Sequence, residues 1–328
     1  MTEYFALKKL SARVGADPLL VQAAGGNTSL KHEGVMWIKA SGTWLRDAVD
    51  KDIFVPVGHD ALLAALARND PACEACTDFV VADLNATKLR PSIETTVHAV
   101  MPQRVVVHVH CVNTIAWAIR GDAEQSLAGK LKAFNWAFVP YARPGLPLAN
   151  AIATRLKPDI DVLILSNHGL VVAAESVAEA EALLGRVVKA LTRPARAAVP
   201  PDLAALQLFC RDNGYGPADS NETHALATDA IALERGRNAV FYPDHVVFLG
   251  VGVATEIESG AALVAIPGKG VLIRKDAKPA VEPMGRCLAD VMRRVEADDS
   301  LTALDSAAID RLVNWDAEKY RQGLNLRV

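Results

Sequence analysis

The chain has 328 residues, which is enough for one large α/β domain or two smaller domains with a sizeable core. Its formal net charge is −3 and its lysines and arginines are scattered, so no basic stripe for nucleic-acid phosphates is visible. The apolar runs fall short of the ~18 residues of a membrane span, and the first residues lack the apolar segment of a secretory signal. We therefore expect a cytoplasmic protein that binds neither nucleic acid nor membranes.

Hydrophobic spacing predicts alternating helices and strands in the first half of the chain. In chain order, the predicted elements are an amphipathic helix within 5–22 closed at Gly15, a loop over 23–34, a strand over 35–41, a helix over 59–68 with Asp60 as its N-cap, a helix beginning near Ser92, a strand over 103–112 and a helix capped by Asn113.

The second half begins with a strand, a turn and a strand around "SNHG" within 160–175. A strongly amphipathic helix follows, and Ser176 with Glu179 three residues later forms the capping-box pattern at its start. Residues 194–203 change in composition and contain a double proline, which predicts a boundary. We therefore predict a catalytic domain over 1–193 and a smaller C-terminal α/β unit over 200–328, whose role the sequence leaves open.

Two histidines interrupt the apolar run "VVVHVHCV". His108 and His110 are two residues apart, so in a strand they point to the same face, as two ligands of one metal would. A second interpretation is that both are core histidines whose nitrogens bond to carbonyls or to a carboxylate. Because a buried imidazole without a partner costs ~1–3 kcal/mol, either interpretation requires a nearby polar group.

His168 and Glu94 are the further candidates for this site. His168 lies at the turn between two apolar segments, where a strand end presents it at the rim of a sheet. Glu94 lies at the start of the helix that precedes the histidine strand. Two other interpretations of Glu94 are that it stabilises this helix by interacting with its dipole, or that it pairs with His98. Three imidazoles and one carboxylate suit Zn²⁺ or a similar divalent ion. Cys73 and Cys76 form a C-x-x-C without a second ligand pair, so we interpret them as incidental thiols.

Five motifs in this order resemble the class II aldolase/adducin family. They are "GGNTS" at 25–29, "KASGT" at 39–43, "PSIE" at 91–94, "HVH" at 108–110 and "NHGLVV" at 167–172. The likeness covers roughly residues 5–193. It is strongest to the aldolase part of bifunctional rhamnulose-phosphate aldolase/dehydrogenases. We expect no complete dinucleotide-binding domain, because Thr255 stands where the glycine motif that begins with Gly250 and Gly252 needs its third glycine.

The resemblance implies a three-layer α/β/α domain with a central β-sheet and a homo-oligomer, with a tetramer favoured. It also implies His108, His110, His168 and Glu94 as zinc ligands, with Glu94 as the catalytic acid/base. The substrate is then a ketose or ketose phosphate, which a retro-aldol reaction cleaves through an enediolate. The residues that the resemblance assigns to the substrate are Gly26, Asn27, Ser41, Gly42 and Ser92.

The chain departs from the family pattern at Ile93, where sugar-phosphate aldolases often carry a second serine. This leaves open whether the substrate is phosphorylated. Tyr141 matches a later family tyrosine by context, and Lys39 and Arg143 are candidates to offset a substrate charge. A sugar-acid phosphate decarboxylase, a sugar-phosphate 4-epimerase and a non-catalytic adducin-like binding module are the alternative functions.

Overall fold

The computed structural model describes residues 2–211 and 213–324. The strands of these residues are β1 (Asn27–His32), β2 (Val35–Lys39), β3 (Phe54–Gly58), β4 (Val105–Val109), β5 (Trp136–Val139), β6 (Val162–Leu165), β7 (Gly169–Ala174), β8 (Tyr215–Pro217), β9 (Leu263–Ile266) and β10 (Gly270–Arg274).

The α-helices of the same residues connect and cover these strands. They are α1 (Thr2–Ala16), α2 (His59–Ala67), α3 (Thr95–Val100), α4 (Val112–Ala118), α5 (Ala123–Lys130), α6 (Leu146–Ala153), α7 (Val177–Leu191), α8 (Leu203–Phe209), α9 (Asn221–Thr228), α10 (Ala230–Asn238), α11 (Pro243–Leu249), α12 (Val281–Met292), α13 (Ser306–Val313) and α14 (Asp316–Leu324). Over the described residues, none of them has both the length and the hydropathy that a membrane-spanning helix needs.

A seven-stranded sheet in the order β3-β2-β1-β4-β7-β6-β5 forms the centre of the molecule. All neighbouring strands are antiparallel except β5 and β6. Val105, Val107 and Val109 of β4 pack on one face against α1 and α7, whereas Val106 packs on the opposite face against α3 and α6. Two helical layers thus enclose the sheet, which confirms the predicted three-layer α/β/α arrangement.

The prediction of a loop over 23–34 is wrong for its second half, because residues 27–32 form β1. This strand pairs with β2 on one side and β4 on the other, so its backbone groups are satisfied within the sheet. Asn27, Thr28 and Ser29 are nevertheless buried. Their side chains find polar partners inside the protein, and a polar strand of this kind has the composition of a loop.

Three helix starts differ from the predictions. The helix over 59–68 begins at His59 with Gly58 as its N-cap, rather than at Asp60. The helix expected from Ser92 begins at Thr95, and Glu94 is its N-cap. α4 begins after Cys111, and the side chain of Asn113 accepts a hydrogen bond from the Arg193 backbone instead of capping the helix. The capping box of Ser176 and Glu179 is confirmed at the start of α7.

A second sheet, of three antiparallel strands in the order β8-β10-β9, lies in the C-terminal part of the chain. Its helices α9 and α12 share one core with α4, where Ile115 and Ile119 lie in the same buried cluster as Leu226 and Leu288. Residues 192–202 contain neither helix nor strand. The domain boundary at 194–203 stays a prediction, but the two parts meet through a packed apolar interface.

Candidate metal centre

The central strand β4 holds the first histidine. His108 faces Asn27 of β1 on one side and Val171 of β7 on the other, and it is fully buried. Because side chains alternate along a strand, His108 lies on the same face as Val106, the face covered by α3 and α6. His110 follows directly after the end of β4 and is 6% exposed.

The turn between β6 and β7 brings His168 to the same point. Asn167 has the left-handed φ of 54°, and its side chain anchors the turn by donating to the backbone oxygens of Phe241 and Thr302. Gly169 lies so close to β4 that an added Cβ would be 2.5 Å from the Val109 oxygen. Only glycine permits this approach, which places the His168 ring 4.9 Å from the His108 ring, centre to centre.

Glu94 completes the cluster from the N-terminus of α3. One carboxylate oxygen lies 3.4 Å from Nε2 of His108, and the other lies 3.4 Å from Nε2 of His168. Asn27 holds this carboxylate by donating to Oε2 at 2.9 Å. The structure therefore brings together all four residues that the sequence singles out, at the point where β4, the β6–β7 turn and α3 meet.

The geometry of the four side chains suits a tetrahedral ion. Their ligand atoms all lie within 4.8 Å of one another. Ligands about 2.0–2.1 Å from a tetrahedral zinc ion are about 3.3–3.4 Å apart. Each oxygen of the Glu94 carboxylate lies at a similar distance, 3.4 Å, from one imidazole nitrogen. Among the described residues, Oε1 of Glu94, Nε2 of His108 and Nε2 of His110 are buried and have no hydrogen-bond partner. Buried polar atoms normally have a partner, so this donor set fits a divalent ion.

Further contacts orient two of the imidazoles. Nδ1 of His108 lies 3.0 Å from the Leu170 carbonyl oxygen, and Nδ1 of His110 lies 2.9 Å from a carboxylate oxygen of Asp244. Because a carbonyl oxygen can only accept, Nδ1 of His108 carries the proton. In the neutral His108 ring Nε2 then has the lone pair that a metal requires.

Burial sets the charges of this cluster. It lowers the pKa of His108, and it lowers the pKa of His168 to about 3. Burial alone would raise the pKa of Glu94, but the adjacent His108, His168 and His110 outweigh it and hold that pKa low, at about 2. At neutral pH the cluster thus contains a carboxylate with neutral His108 and His168, which are the protonation states in which these groups bind a metal.

The cluster opens onto a narrow cavity. Glu94, His110 and His168 line it together with all five predicted substrate residues, namely Gly26, Asn27, Ser41, Gly42 and Ser92. The hydroxyl of Ser41 is buried and has no hydrogen-bond partner among the described residues. Asn27 and Ser92 are already engaged, because Asn27 donates to Ser92 as well as to Glu94, and Ser92 accepts from the Glu94 backbone.

Lys39 also lines the cavity, and its ammonium group donates to the backbone oxygens of Ala24 and Thr43. It therefore joins the two loops that surround the cavity. Arg143 was predicted to offset a substrate charge, but it pairs with Glu74 and stacks on Trp315 instead. Tyr141 packs near α13, and neither residue is among those that line the cavity.

Sequence reasoning missed the contribution of the C-terminal unit. Pro243, Asp244 and Glu318 line the same cavity, and Asp244 contacts His110 directly. No spacing signal links these residues to the histidine motifs, since the contact arises from tertiary packing alone. His224 and His245, in contrast, lie buried elsewhere in this unit, where Nε2 of His224 lies 3.1 Å from the Ala218 carbonyl oxygen.

Residues 10–192 match the family model described as the class II aldolase and adducin N-terminal domain. The chain belongs to this family. An uncharacterized oxidoreductase of Bacillus subtilis (strain 168), YuxG, is 29% identical over 175 residues, which are 50% of this chain and 25% of that protein. The chain thus spans only a quarter of the length of this relative.

Part of this chain is also similar to solved structures. The N-terminal class II aldolase domain of a Thermoplasma acidophilum protein is 28% identical, with a TM-score of 0.50 over 56% of this chain and 90% of that one. An L-fuculose-1-phosphate aldolase from Thermus thermophilus is more distant, with 18% identity and a TM-score of 0.38 over 58% and 91% of the two chains. This chain is therefore a class II aldolase/adducin family member with a buried Glu/His cluster suited to a metal.

The cluster predicts that zinc stabilises the folded protein. When zinc is added to chelator-treated protein at about 100 times its Kd, the free energy of unfolding should rise by ~2.7 kcal/mol, because the ion binds only the folded state. Thermal unfolding with and without zinc measures this difference. His108→Ala should lose most of it, whereas His32→Ala should keep it, because the His32 side chain is 58% exposed and is not part of the cluster. Equal stabilisation of both variants would contradict the assignment.

Proposed function

We propose that this chain is a metal-dependent class II aldolase that cleaves a ketose or ketose phosphate by a retro-aldol reaction, with Zn²⁺ or another divalent ion as cofactor. One observation carries the proposal: the ligand atoms of Glu94, His108, His110 and His168 lie within 4.8 Å of one another, and all of these residues except His108 line the cavity. Family membership supports the same chemistry. A divalent ion bound there supplies Lewis-acid stabilisation of the negative charge that develops on substrate oxygens.

The reaction needs two proton movements. When the C3–C4 bond of the ketose breaks, the C4 hydroxyl passes its proton to water and C4 becomes an aldehyde, while the electron pair of the broken bond passes to C3. C3 must then gain a proton to give the ketone product. Glu94 is the proposed carrier of the C3 proton, which its carboxylate takes up from water, because this carboxylate lines the cavity and Asn27 fixes its orientation.

The part of the cavity lined by Gly26, Ser41 and Gly42 is the proposed site for the substrate's polar or anionic group. Gly26 and Gly42 have positive φ values of 60° and 75°, so their backbone can approach a ligand closely. The Ser41 hydroxyl is placed to donate there, and Lys39 adds a positive charge. Ile93 also lines the cavity, where a serine would supply another donor.

The alternative functions differ in how they use this site. An epimerase or a decarboxylase can use the same stabilised negative charge, and the present geometry favours neither over the aldolase. A binding module without catalysis does not need three buried imidazoles and a carboxylate at one point, so the cluster supports an enzyme. We further propose a homo-oligomer, a tetramer by resemblance to the family.

Product analysis tests the proposed reaction. The zinc-loaded protein should convert a ketose or ketose phosphate into equal amounts of an aldehyde and dihydroxyacetone or its phosphate. Glu94→Gln should reduce this rate at least about 100-fold, because it removes the group that moves the C3 proton. Glu33→Gln is the matched control, since the Glu33 side chain is 84% exposed and should leave the rate unchanged.

The substrates of this assay should include ketoses, ketose 1-phosphates and 3-keto acids, and zinc content should be measured for each variant. Carbon dioxide from a 3-keto acid would indicate the decarboxylase, and a C4 epimer without cleavage would indicate the epimerase. Full cleavage activity and full zinc content in the Glu94→Gln variant would contradict the role of Glu94.

Two serines of the cavity should respond differently to alanine. Ser41→Ala removes a hydroxyl that has no hydrogen-bond partner among the described residues, so the free energy of unfolding should stay unchanged. KM should rise about tenfold, which corresponds to the loss of one charge-assisted hydrogen bond to the substrate. Ser92→Ala should lower the free energy of unfolding by ~1–3 kcal/mol, because it leaves two buried donors without this acceptor. Denaturant unfolding and steady-state kinetics measure both effects. An unchanged KM in Ser41→Ala would exclude Ser41 from the substrate site.

A further inference from the structure

The histidine cluster has one partner that lies outside the domain matched by the family model. Asp244 lies in the first turn of α11, far beyond residue 192, and is 3% exposed. Its carboxylate is 2.9 Å from Nδ1 of His110. An added Cβ at Gly25 would lie 2.8 Å from that nitrogen and 3.2 Å from that carboxylate, so this glycine leaves room for the contact.

The segment that carries Asp244 is held in place by the same turn that carries His168. Asn167, the residue before His168, donates a hydrogen bond to the backbone oxygen of Phe241, three residues before Asp244. Tyr242 and Pro243 are buried, and Pro243 occupies the start of α11, where a fixed φ suits the helix. The position of the Asp244 carboxylate therefore depends on the packed structure rather than on a mobile loop.

His108 and His110 differ in the oxygen that lies next to Nδ1. For His108 this is the neutral carbonyl oxygen of Leu170, at 3.0 Å, whereas for His110 it is a carboxylate oxygen of Asp244, at 2.9 Å. A carboxylate partner fixes the tautomer as a carbonyl does, but it also makes the imidazole a stronger donor to a metal.

We propose that Asp244 is a positioning residue that acts through His110, and that the C-terminal unit thereby completes the metal centre. This inference rests on the proposed metal-dependent function. Asp244 holds the His110 ring with Nε2 directed to the ion and increases its basicity. The C-terminal unit is then part of the active site, and the family domain alone lacks one element of it.

Zinc affinity, measured by competition with a chromophoric chelator, tests the proposal on the full chain. Asp244→Asn keeps an oxygen acceptor but loses the charge, so we expect its zinc affinity to be about tenfold lower. Asp244→Ala loses both the acceptor and the charge, so we expect its zinc affinity to be about 100-fold lower. Asp290→Asn is the matched control. Asp290 is a buried carboxylate of the same unit that pairs with Arg294, so its loss should lower stability but leave zinc affinity unchanged.

A second measurement needs no variant. In metal-free protein labelled with ¹⁵N-histidine, the ring nitrogen shifts of His110 should show a proton on Nδ1 and none on Nε2. Protonation of Nε2 instead, or an Asp244→Ala variant that binds zinc as tightly as the unmodified protein, would overturn the role of Asp244. The zinc titration of the unmodified protein distinguishes two failures. If the unmodified protein binds no zinc, the proposed metal-dependent function is wrong and the role of Asp244 is wrong as well. If it binds zinc but the Asp244→Ala variant binds equally tightly, only the role of Asp244 is wrong.

Discussion

The structure depends on a cluster of buried polar groups that cannot satisfy one another. Glu94 lies 3.4 Å from Nε2 of His108 and 3.4 Å from Nε2 of His168. Charge-assisted hydrogen bonds are shorter, at about 2.7–2.9 Å, so these contacts are poor as hydrogen bonds. A similar distance separates two ligand atoms that bind the same tetrahedral zinc ion. Since an unsatisfied buried polar group costs ~1–3 kcal/mol, an ion shared by all four side chains would remove this cost.

The fold brings these groups together through elements that are distant in sequence. β4 places His108 in the middle of the sheet, the β6–β7 turn places His168 beside it, and α3 packs over that face with Glu94 at its N-terminus. Each of these elements has a large apolar contact with the rest of the protein. The site is therefore held by a rigid scaffold, as catalytic groups that must keep a fixed geometry require.

Local patterns in the sequence predict the positions of the three histidines in the cluster. The alternation of a strand predicts that His108 and His110 share a face, and the turn residues around His168 predict its place at the end of a strand. The same reasoning failed for β1, because Asn27, Thr28 and Ser29 are polar and become buried only through partners elsewhere in the fold. The contact of Asp244 with His110 has no local signal, since it depends on how the C-terminal unit packs against the first domain.

The most direct test of the central claim is the coordination of the bound ion. X-ray absorption at the zinc edge, recorded on protein loaded with one equivalent of zinc, reports the atoms that surround the metal and their distances. The present account predicts imidazole scattering from three histidines and one oxygen ligand at about 2.0–2.1 Å in the substrate-free protein. A first shell containing sulfur at about 2.3 Å, or one without multiple imidazole rings, would contradict it.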